Sequence, residues 1–238
     1  MNASPVDVPV LDGSSFPDDW REGVAVLVDK PQRWSSFRVV KALRSFTGVR
    51  RIGHAGTLDP MATGLLICCI GRTATRMIDR FVGFDKEYEG ILRLGETTAS
   101  FDAETPVEDR RPAEHLTEAD LVKSTTHFIG ALKQTPPMYS AVQIEGQRLY
   151  KLARKGVLID RPQRSISVRE FSIVGKDGRD VSFRVSCSKG TYIRTLVHDL
   201  GEHLGVGAHL IALRRTAIGP YRVDNALNAE RLLRNAPE

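Results

Sequence analysis

Arg51-Ile52-Gly53-His54-Ala55-Gly56-Thr57-Leu58-Asp59-Pro60-Met61-Ala62-Thr63-Gly64-Leu65-Leu66 gathers three glycines and one proline around a single carboxylate, Asp59. No amphipathic period runs through it, so it reads neither as an ordinary helix nor as a half-buried strand. Glycines permit backbone angles and close approaches closed to other residues. Pro60 fixes its own φ and biases Asp59 away from the helical region, so the Asp-Pro step is extended or turned. A lone Asp-Pro would be a turn with an Asx cap. This loop is too long, too rich in glycine and too poor in ordinary turn polars for that role alone. A single carboxylate on a constrained loop, with His54 nearby, reads as a reactive group held for presentation.

Outward from the loop, Gly23-Val24-Ala25-Val26-Leu27-Val28 is a short apolar run read as a buried strand ending at Asp29-Lys30-Pro31. Ser35-Ser36 caps a helix to about Phe46, with Phe37, Val40 and Leu43 expected on its buried face and Gly48 as its stop. Leu65 to Ile70 makes a second buried strand, and a helix is expected over about Thr73 to Phe81, burying Met77, Ile78 and Phe81. Glu87 to Leu94 alternates, with Tyr88, Gly90, Leu92 and Leu94 on one face. Thr117 opens a helix whose Leu121, Val122, Thr125 and Phe128 share a side. Gln134 to Ala141, broken by Pro136 and Pro137, is no regular element.

Arg164 to Val174 and Val181 to Cys187 alternate around Lys176-Asp177-Gly178, a hairpin signal. A helix from about Thr191 to Leu204 follows, then a strand from His209 to Leu213 and a short helix capped by Asn228. Strands and helices mix without strict alternation, and the hairpin demands antiparallel pairing. The expected fold class is α+β, one domain with a largely antiparallel mixed sheet flanked by helices. It would span residues 23–238, behind a flexible leader over residues 1–22 that holds three prolines and five acids against one arginine.

With 238 residues, 41% hydrophobic and 26% charged, the chain has the composition of a soluble globular protein. A net charge of +5 favours a polyanionic partner. Cys68, Cys69 and Cys187 form neither a disulfide framework nor a zinc-ligand pattern, which fits a reducing, cytoplasmic compartment. The sequence has no signal pattern, and no apolar run approaches the roughly 20 residues a bilayer requires. No metal site and no membrane partner is expected.

The run Gly53 to Gly64 resembles the catalytic loop of the TruB family of pseudouridine synthases, in which the aspartate is catalytic. Further matches are scattered widely. Leu27 to Pro31 resembles the family's N-terminal lysine motif, and Lys86-Glu87-Tyr88 the segment bearing its active-site tyrosine. Pro136 to Gly156 resembles its RNA-gripping insertion, placed here at about residues 134–160. Cys187 to Thr195 with Asp199-Leu200-Gly201 resembles its last catalytic motif, and Gly207 to Leu210 with Leu213-Arg214-Arg215 the motif after it. The resemblance runs from about Gly23 to Tyr221. A full C-terminal RNA-binding domain of the bacterial branch is not expected in the residues that remain.

The resemblance implies conversion of the T-arm uridine of tRNA, position 55 in tRNA numbering, to pseudouridine. That is an isomerisation, which breaks the glycosidic bond, turns the base and rejoins it through C5, so no cofactor is required. Asp59, Tyr88 and Arg194 are the implied catalytic residues, and Lys30, His54, Tyr192 and Leu213 the implied substrate contacts. Arg194 is the expected partner of Asp59, because a planar guanidinium grips a carboxylate in two bonds and keeps it ionised. Tyr88 and Tyr192 are aromatic platforms for a base that must be flipped out of folded RNA. His54 is a structural contact to RNA, Lys30 a rim contact near the loop, and Leu213 a pocket wall. The partner is tRNA through its T stem-loop, bound without a guide RNA by a monomer.

Between Gln143 and Arg169 seven Lys/Arg stand against two acids, with Tyr139 and Tyr150 nearby, which reads as a backbone-gripping RNA surface. Two rivals remain: a guide-dependent relative working within a multi-protein particle, and a catalytically idle RNA-binding or RNA-folding module.

Overall fold

The computed structural model describes residues 8–12, 17–140, 143–144, 146–153, 156–157 and 159–230. In chain order the elements are β1 (Val10–Leu11), β2 (Val24–Lys30), α1 (Ser36–Thr47), β3 (Ile52–Ala55), β4 (Thr63–Ile70), α2 (Gly71–Thr75), α3 (Ile78–Gly83) and β5 (Lys86–Leu94). Next come β6 (Glu96–Thr98), β7 (Val107–Arg110), α4 (Glu118–Thr125), β8 (Gly130–Gln134), β9 (Gln143–Ile144), β10 (Gln147–Arg148) and α5 (Leu149–Ala153). The last are β11 (Arg164–Asp177), β12 (Asp180–Cys187), α6 (Ile193–His203), β13 (Ala208–Ile218), β14 (Tyr221–Arg222) and β15 (Leu227–Asn228). The class is α+β with a mixed, mostly antiparallel sheet, as the sequence implies. The chain falls into two compact units, Met1–Tyr88 with Leu213–Glu238, and Glu89–Ala212.

In the first unit β2 and β4 are antiparallel from Val24↔Ile70 to Lys30↔Gly64. With β2 along one edge of β4, the other edge is divided. β3 takes its C-terminal half (Ile52↔Ile70 to Ala55↔Ile67), and β13 pairs in parallel at its start (Arg214↔Thr63, Arg215↔Gly64). The two-residue period sends Val24, Val26, Val28, Leu66, Cys68 and Ile70 to one face, against Val39, Val40 and Leu43 of α1. Ala25, Leu27, Leu65, Ile67 and Cys69 face the other way, onto Ala74 and Phe81. A sheet covered on both faces explains why β2 and β4 read as unbroken apolar runs. Burial pushes the Cys69 thiol up to about 12, and Cys68 higher still, so neither is a reactive thiolate.

Three expectations shift here. Phe37 lies on the outer face of α1, 52% exposed, because the buried stripe is centred on Val39, Val40 and Leu43 and Phe37 is more than a quarter-turn from it. The helix expected over Thr73 to Phe81 is two short ones, α2 and α3, and only Phe81 of its three apolar residues is fully buried. Within the leader, Val10 and Leu11 pair in parallel with Ala25 and Val26, and Trp20 meets Phe46 edge-on at 5.9 Å.

In the second unit β11 pairs with β12 across a turn at Gly178 and Arg179, with Asp177 opposite Asp180, and with β8 on its other edge. Phe171 and Phe183 meet edge-to-face at 5.6 Å. Thr117 and Asp120 close a capping box on α4, burying Leu121 and Thr125 but leaving Val122 49% exposed, against the expected shared side. α6 buries Ile193, Leu196, Val197 and Leu200, as its spacing predicts. The strand expected at His209 to Leu213 runs on through the two arginines to Ile218.

Candidate active site

The Asp59 loop connects two antiparallel strands, β3 and β4, and is fastened by main-chain bonds. Ser36, the first residue of α1 and 2% exposed, does two things with one hydroxyl: it accepts from the Leu58 N–H at 2.9 Å and donates to the Leu58 carbonyl at 3.1 Å. The Arg33 N–H donates to the Pro60 carbonyl at 2.7 Å, and the Ala62 N–H closes a turn on the Asp59 carbonyl at 3.1 Å. Arg215, 1% exposed, donates Nε to the Leu65 carbonyl (2.7 Å) and Nη2 to the Gly56 carbonyl (3.0 Å). One guanidinium thus ties the loop's entry to the strand that leaves it. Gly64 is required: its φ is +101° and an added Cβ would lie 2.3 Å from the Arg215 carbonyl oxygen. Leu58 is buried beneath, while Asp59 beside it is half-buried.

The other predicted residues of this unit sit close to that frame in the chain. Lys30 is 0% exposed and not a surface lysine; its Nζ donates to the Pro31 (3.0 Å) and Trp34 (2.6 Å) carbonyls. A buried ammonium has to find such acceptors. Lying opposite Gly64 in the sheet, Lys30 supports the loop from beneath and is not a rim contact. His54 pairs with Cys68 across β3 and β4, and its Nδ1 finds no hydrogen-bond partner among the described residues. Burial, and then the nearby Arg215 charge, lower its pKa from 6.5, so the ring is held neutral. Leu213 is 9% exposed and its carbonyl accepts from the Thr63 hydroxyl at 3.4 Å. Arg214 next to it forks onto Asp29 at 3.0 and 2.8 Å. Tyr88, on β5, is 9% exposed.

The second unit holds Tyr192 and Arg194. Gln134, at the end of β8, accepts from the Tyr192 N–H (2.8 Å) and donates to its carbonyl (3.0 Å), fixing Tyr192 at the N-cap of α6. Arg194 is 4% exposed and donates to the Ser100 and Tyr139 carbonyls at 2.9 and 2.8 Å. Its Nε lies 3.4 Å from Oδ2 of Asp102, a carboxylate 1% exposed whose Oδ1 accepts from the Ser100 hydroxyl and the Glu104 N–H. Arg194 therefore holds the proline-broken segment near its end, by the main chain of Tyr139. Of the basic residues expected to grip RNA there, Arg154 and Lys155 lie outside the described residues.

Four supporting residues escaped the sequence reading: Ser36, Gln134, Asp102 and Arg215. Ser36 is visible only as a second cap serine. Asp102 is one of many acids in an unpatterned turn. Gln134 and Arg215 act on main chain 58 and 150 or more residues away, a pairing no local period can show.

Residues 44–193, which include His54, Asp59, Tyr88 and Tyr192, match the model of the TruB family pseudouridylate synthase N-terminal domain. The chain belongs to the TruB family of pseudouridylate synthases. Residues 194–236, with Arg194 and Leu213, match the tRNA pseudouridylate synthase B C-terminal domain. A tRNA pseudouridine synthase B of Thermobifida fusca is 47% identical over 215 residues, covering 87% of this chain and 73% of the relative. That of Flavobacterium johnsoniae is 43% identical over 219 residues, covering 89% and 95%. Among solved structures, a chain of a Cbf5-Nop10-Gar1 complex superposes with a TM-score of 0.68 at 28% identity over 96% of this chain. A chain of the archaeal box H/ACA sRNP Nop10-Cbf5 complex gives 0.67 at 27% over 94%. This chain spans 59% and 56% of those two solved chains.

Proposed function

We propose that the chain is a tRNA pseudouridine synthase acting on the T-arm uridine, position 55, in the cytoplasm, as a monomer without a guide RNA or cofactor. The observation that carries this is the Asp59 loop: one carboxylate, half-buried, on a loop fastened by main-chain bonds inside the segment shared with the family. The relatives named tRNA pseudouridine synthase B support the substrate.

In this mechanism the target uridine is flipped out of the T loop, and Tyr88 and Tyr192 serve as aromatic contacts for the base. Asp59, ionised, acts as the nucleophile that allows the N1–C1′ bond to break. The base turns, C5 bonds to C1′, the bond to Asp59 breaks to free its carboxylate again, and the C5 proton is lost while N1 gains one, so atoms balance and no electrons are exchanged. Arg194 is the catalytic arginine, steadied by Asp102. Neutral His54 packs against the RNA without moving a proton, Leu213 walls the base, and Lys30 stiffens the loop from below. The domain plan of the sequence reading belongs to the same proposal: a catalytic body over residues 23–238 and an RNA-gripping insertion at about 134–160.

Asp59→Asn tests it. The amide keeps the shape and most hydrogen bonding but removes the charge and the nucleophile. Tritium release from C5-labelled uridine in tRNA should fall below detection, while filter binding of tRNA is as tight as the parent's or tighter. Activity above roughly a hundredth of the parent's, the low end of what one acid-base group supplies, refutes the assignment. Release by the parent on unmodified tRNA with no other component present separates this reading from a guide-dependent particle and from an idle binding module.

A further inference from the structure

Between Asp29 and Asp59 the chain has seven Lys/Arg and no Asp or Glu. Lys30 is buried; the other six, Arg33, Arg38, Lys41, Arg44, Arg50 and Arg51, are exposed. Six uncompensated charges exceed the +5 of the whole chain, so the rest of the surface is close to balanced or slightly acidic. Three of them form a row on the outer face of α1, spaced three residues apart at Arg38, Lys41 and Arg44. No carboxylate pairs with any of the three among the described residues.

Such a row is unfavourable for the isolated helix. Like charges three or four residues apart cost roughly 0.2–0.5 kcal/mol per pair. The ordinary reason for a terminal cation, compensation of the helix dipole, covers Arg44 in the last turn but neither Arg38 nor Lys41. The row is also interleaved with rings. Lys41 Nζ and Arg44 Cζ lie 5.5 and 5.7 Å from the centre of Phe37, and Arg38 Cζ lies 4.4 Å over Trp34. Phe37 is the large exposed apolar side chain of this helix, at 52%. A membrane surface would ask for a stripe of such residues, whereas a nucleic-acid backbone asks for a row of cations.

The position of the row specifies the partner further. α1 begins at Ser36, whose hydroxyl holds Leu58, the residue before Asp59, and Arg33 holds Pro60, the residue after it. The basic face therefore starts at the loop and runs away from it along a helix of 12 residues, about 18 Å at 1.5 Å per residue.

We propose that the outer face of α1, Arg38, Lys41 and Arg44 with Phe37, is a phosphate-backbone surface that holds the RNA stem adjoining the target uridine. It rests on the synthase reading for the identity of that RNA. It is separate in sequence from the basic stretch at residues 143–169 and lies in the other unit of the chain.

The test is a triple variant, Arg38→Ala/Lys41→Ala/Arg44→Ala, against a T stem-loop RNA in filter binding from 50 to 200 mM salt. Two to three lost phosphate contacts should weaken binding at 0.1 M salt by about tenfold to several hundredfold and reduce the slope of log Kd against log salt by about 2–3. Phe37→Ala alone should leave the slope unchanged, since it removes no charge. The melting temperature of the triple variant should equal or exceed the parent's, because the self-repulsion is gone. Binding and slope equal to the parent's overturn the proposal, and a fall of several degrees in melting with parental binding would show the row to be structural. The parent's own tritium release on tRNA decides the synthase reading independently: a parent that binds the RNA through this face but forms no pseudouridine would sink that reading and keep this one.

Discussion

Ser36→Ala probes whether the Asp59 loop is held as described. The change removes one oxygen, yet that oxygen serves two groups: it accepts from the Leu58 N–H at 2.9 Å and donates to its carbonyl at 3.1 Å. Leu58 is 4% exposed and Ser36 2%, so water does not readily replace the hydroxyl. A buried polar group left unsatisfied costs about 1–3 kcal/mol, and here two are orphaned. The expected loss is about 2–5 kcal/mol, against a typical total of about 5–15 kcal/mol for a folded protein. For a chain of this size about 1 kcal/mol moves Tm by roughly 2–4 °C, so the melt should drop by about 4–20 °C. If Leu58 shifts to find solvent, Asp59 moves with it, and displacement by an ångström is worth roughly a hundredfold in rate. Ser35→Ala is the control: it removes the exposed cap that accepts from the Arg38 N–H at 3.1 Å, costing about 1 kcal/mol, without touching the loop. Thermal melts and tritium release are measured on both. A Ser36→Ala protein melting within a degree of the parent with full turnover would refute the clamp.

Two glycines should fail for different reasons. Gly90→Ala puts a Cβ 2.5 Å from Phe183, itself 1% exposed, and 2.9 Å from the Ala212 carbonyl oxygen; overpacking of this kind costs about 1–3 kcal/mol, seen as a lower Tm. Gly48→Ala meets nothing within 4 Å but sits at φ +67° as the stop of α1, so it should cost about 1 kcal/mol from the backbone alone. Burial and the neighbouring Glu202 push the Asp199 carboxyl up to about 6. A raised carboxyl contributes stability below its unfolded value near 4 and loses it as pH rises through about 6, so Asp199→Asn should melt higher than the parent at pH 8 and level with it near pH 4. His54 acts with the opposite sign: its lowered pKa costs stability as pH falls below about 6.5, and His54→Gln should flatten the parent's fall in Tm on that side.

What the sequence makes legible is what is written in local periods. β2 and β4 show as apolar runs because both their faces are covered, and the β11–β12 hairpin shows as two alternating runs around a glycine turn. The loop at Asp59 shows because glycine and proline mark unusual backbone directly. Phe37 is not legible because hydrophobicity alone implies burial, and an exposed aromatic among cations breaks that equation. The length of β13 beyond Leu213 is not legible because two consecutive arginines look like the end of a strand, although Arg215 is buried and bonds two carbonyls. The burial of Lys30 is hidden for the same reason, since a charge alone does not announce the carbonyls that accept from it. The support of Arg194 by Asp102 is a contact across 92 residues and leaves no mark on either neighbourhood.

The fastenings described for the Asp59 loop reach main-chain atoms: the amide and carbonyl of Leu58 and the carbonyls of Gly56, Asp59, Pro60 and Leu65. Side chains on the loop's outer side carry none of that support, and Thr57 projects into solvent. The loop is thus a frame with interchangeable fittings. Positions 57 and 61 can be randomised in a library while Gly56, Leu58, Asp59 and Gly64 are kept, and most members should fold with the carboxylate in its place. Selection on such a library would change which RNA surroundings the loop accepts while leaving the reacting group untouched.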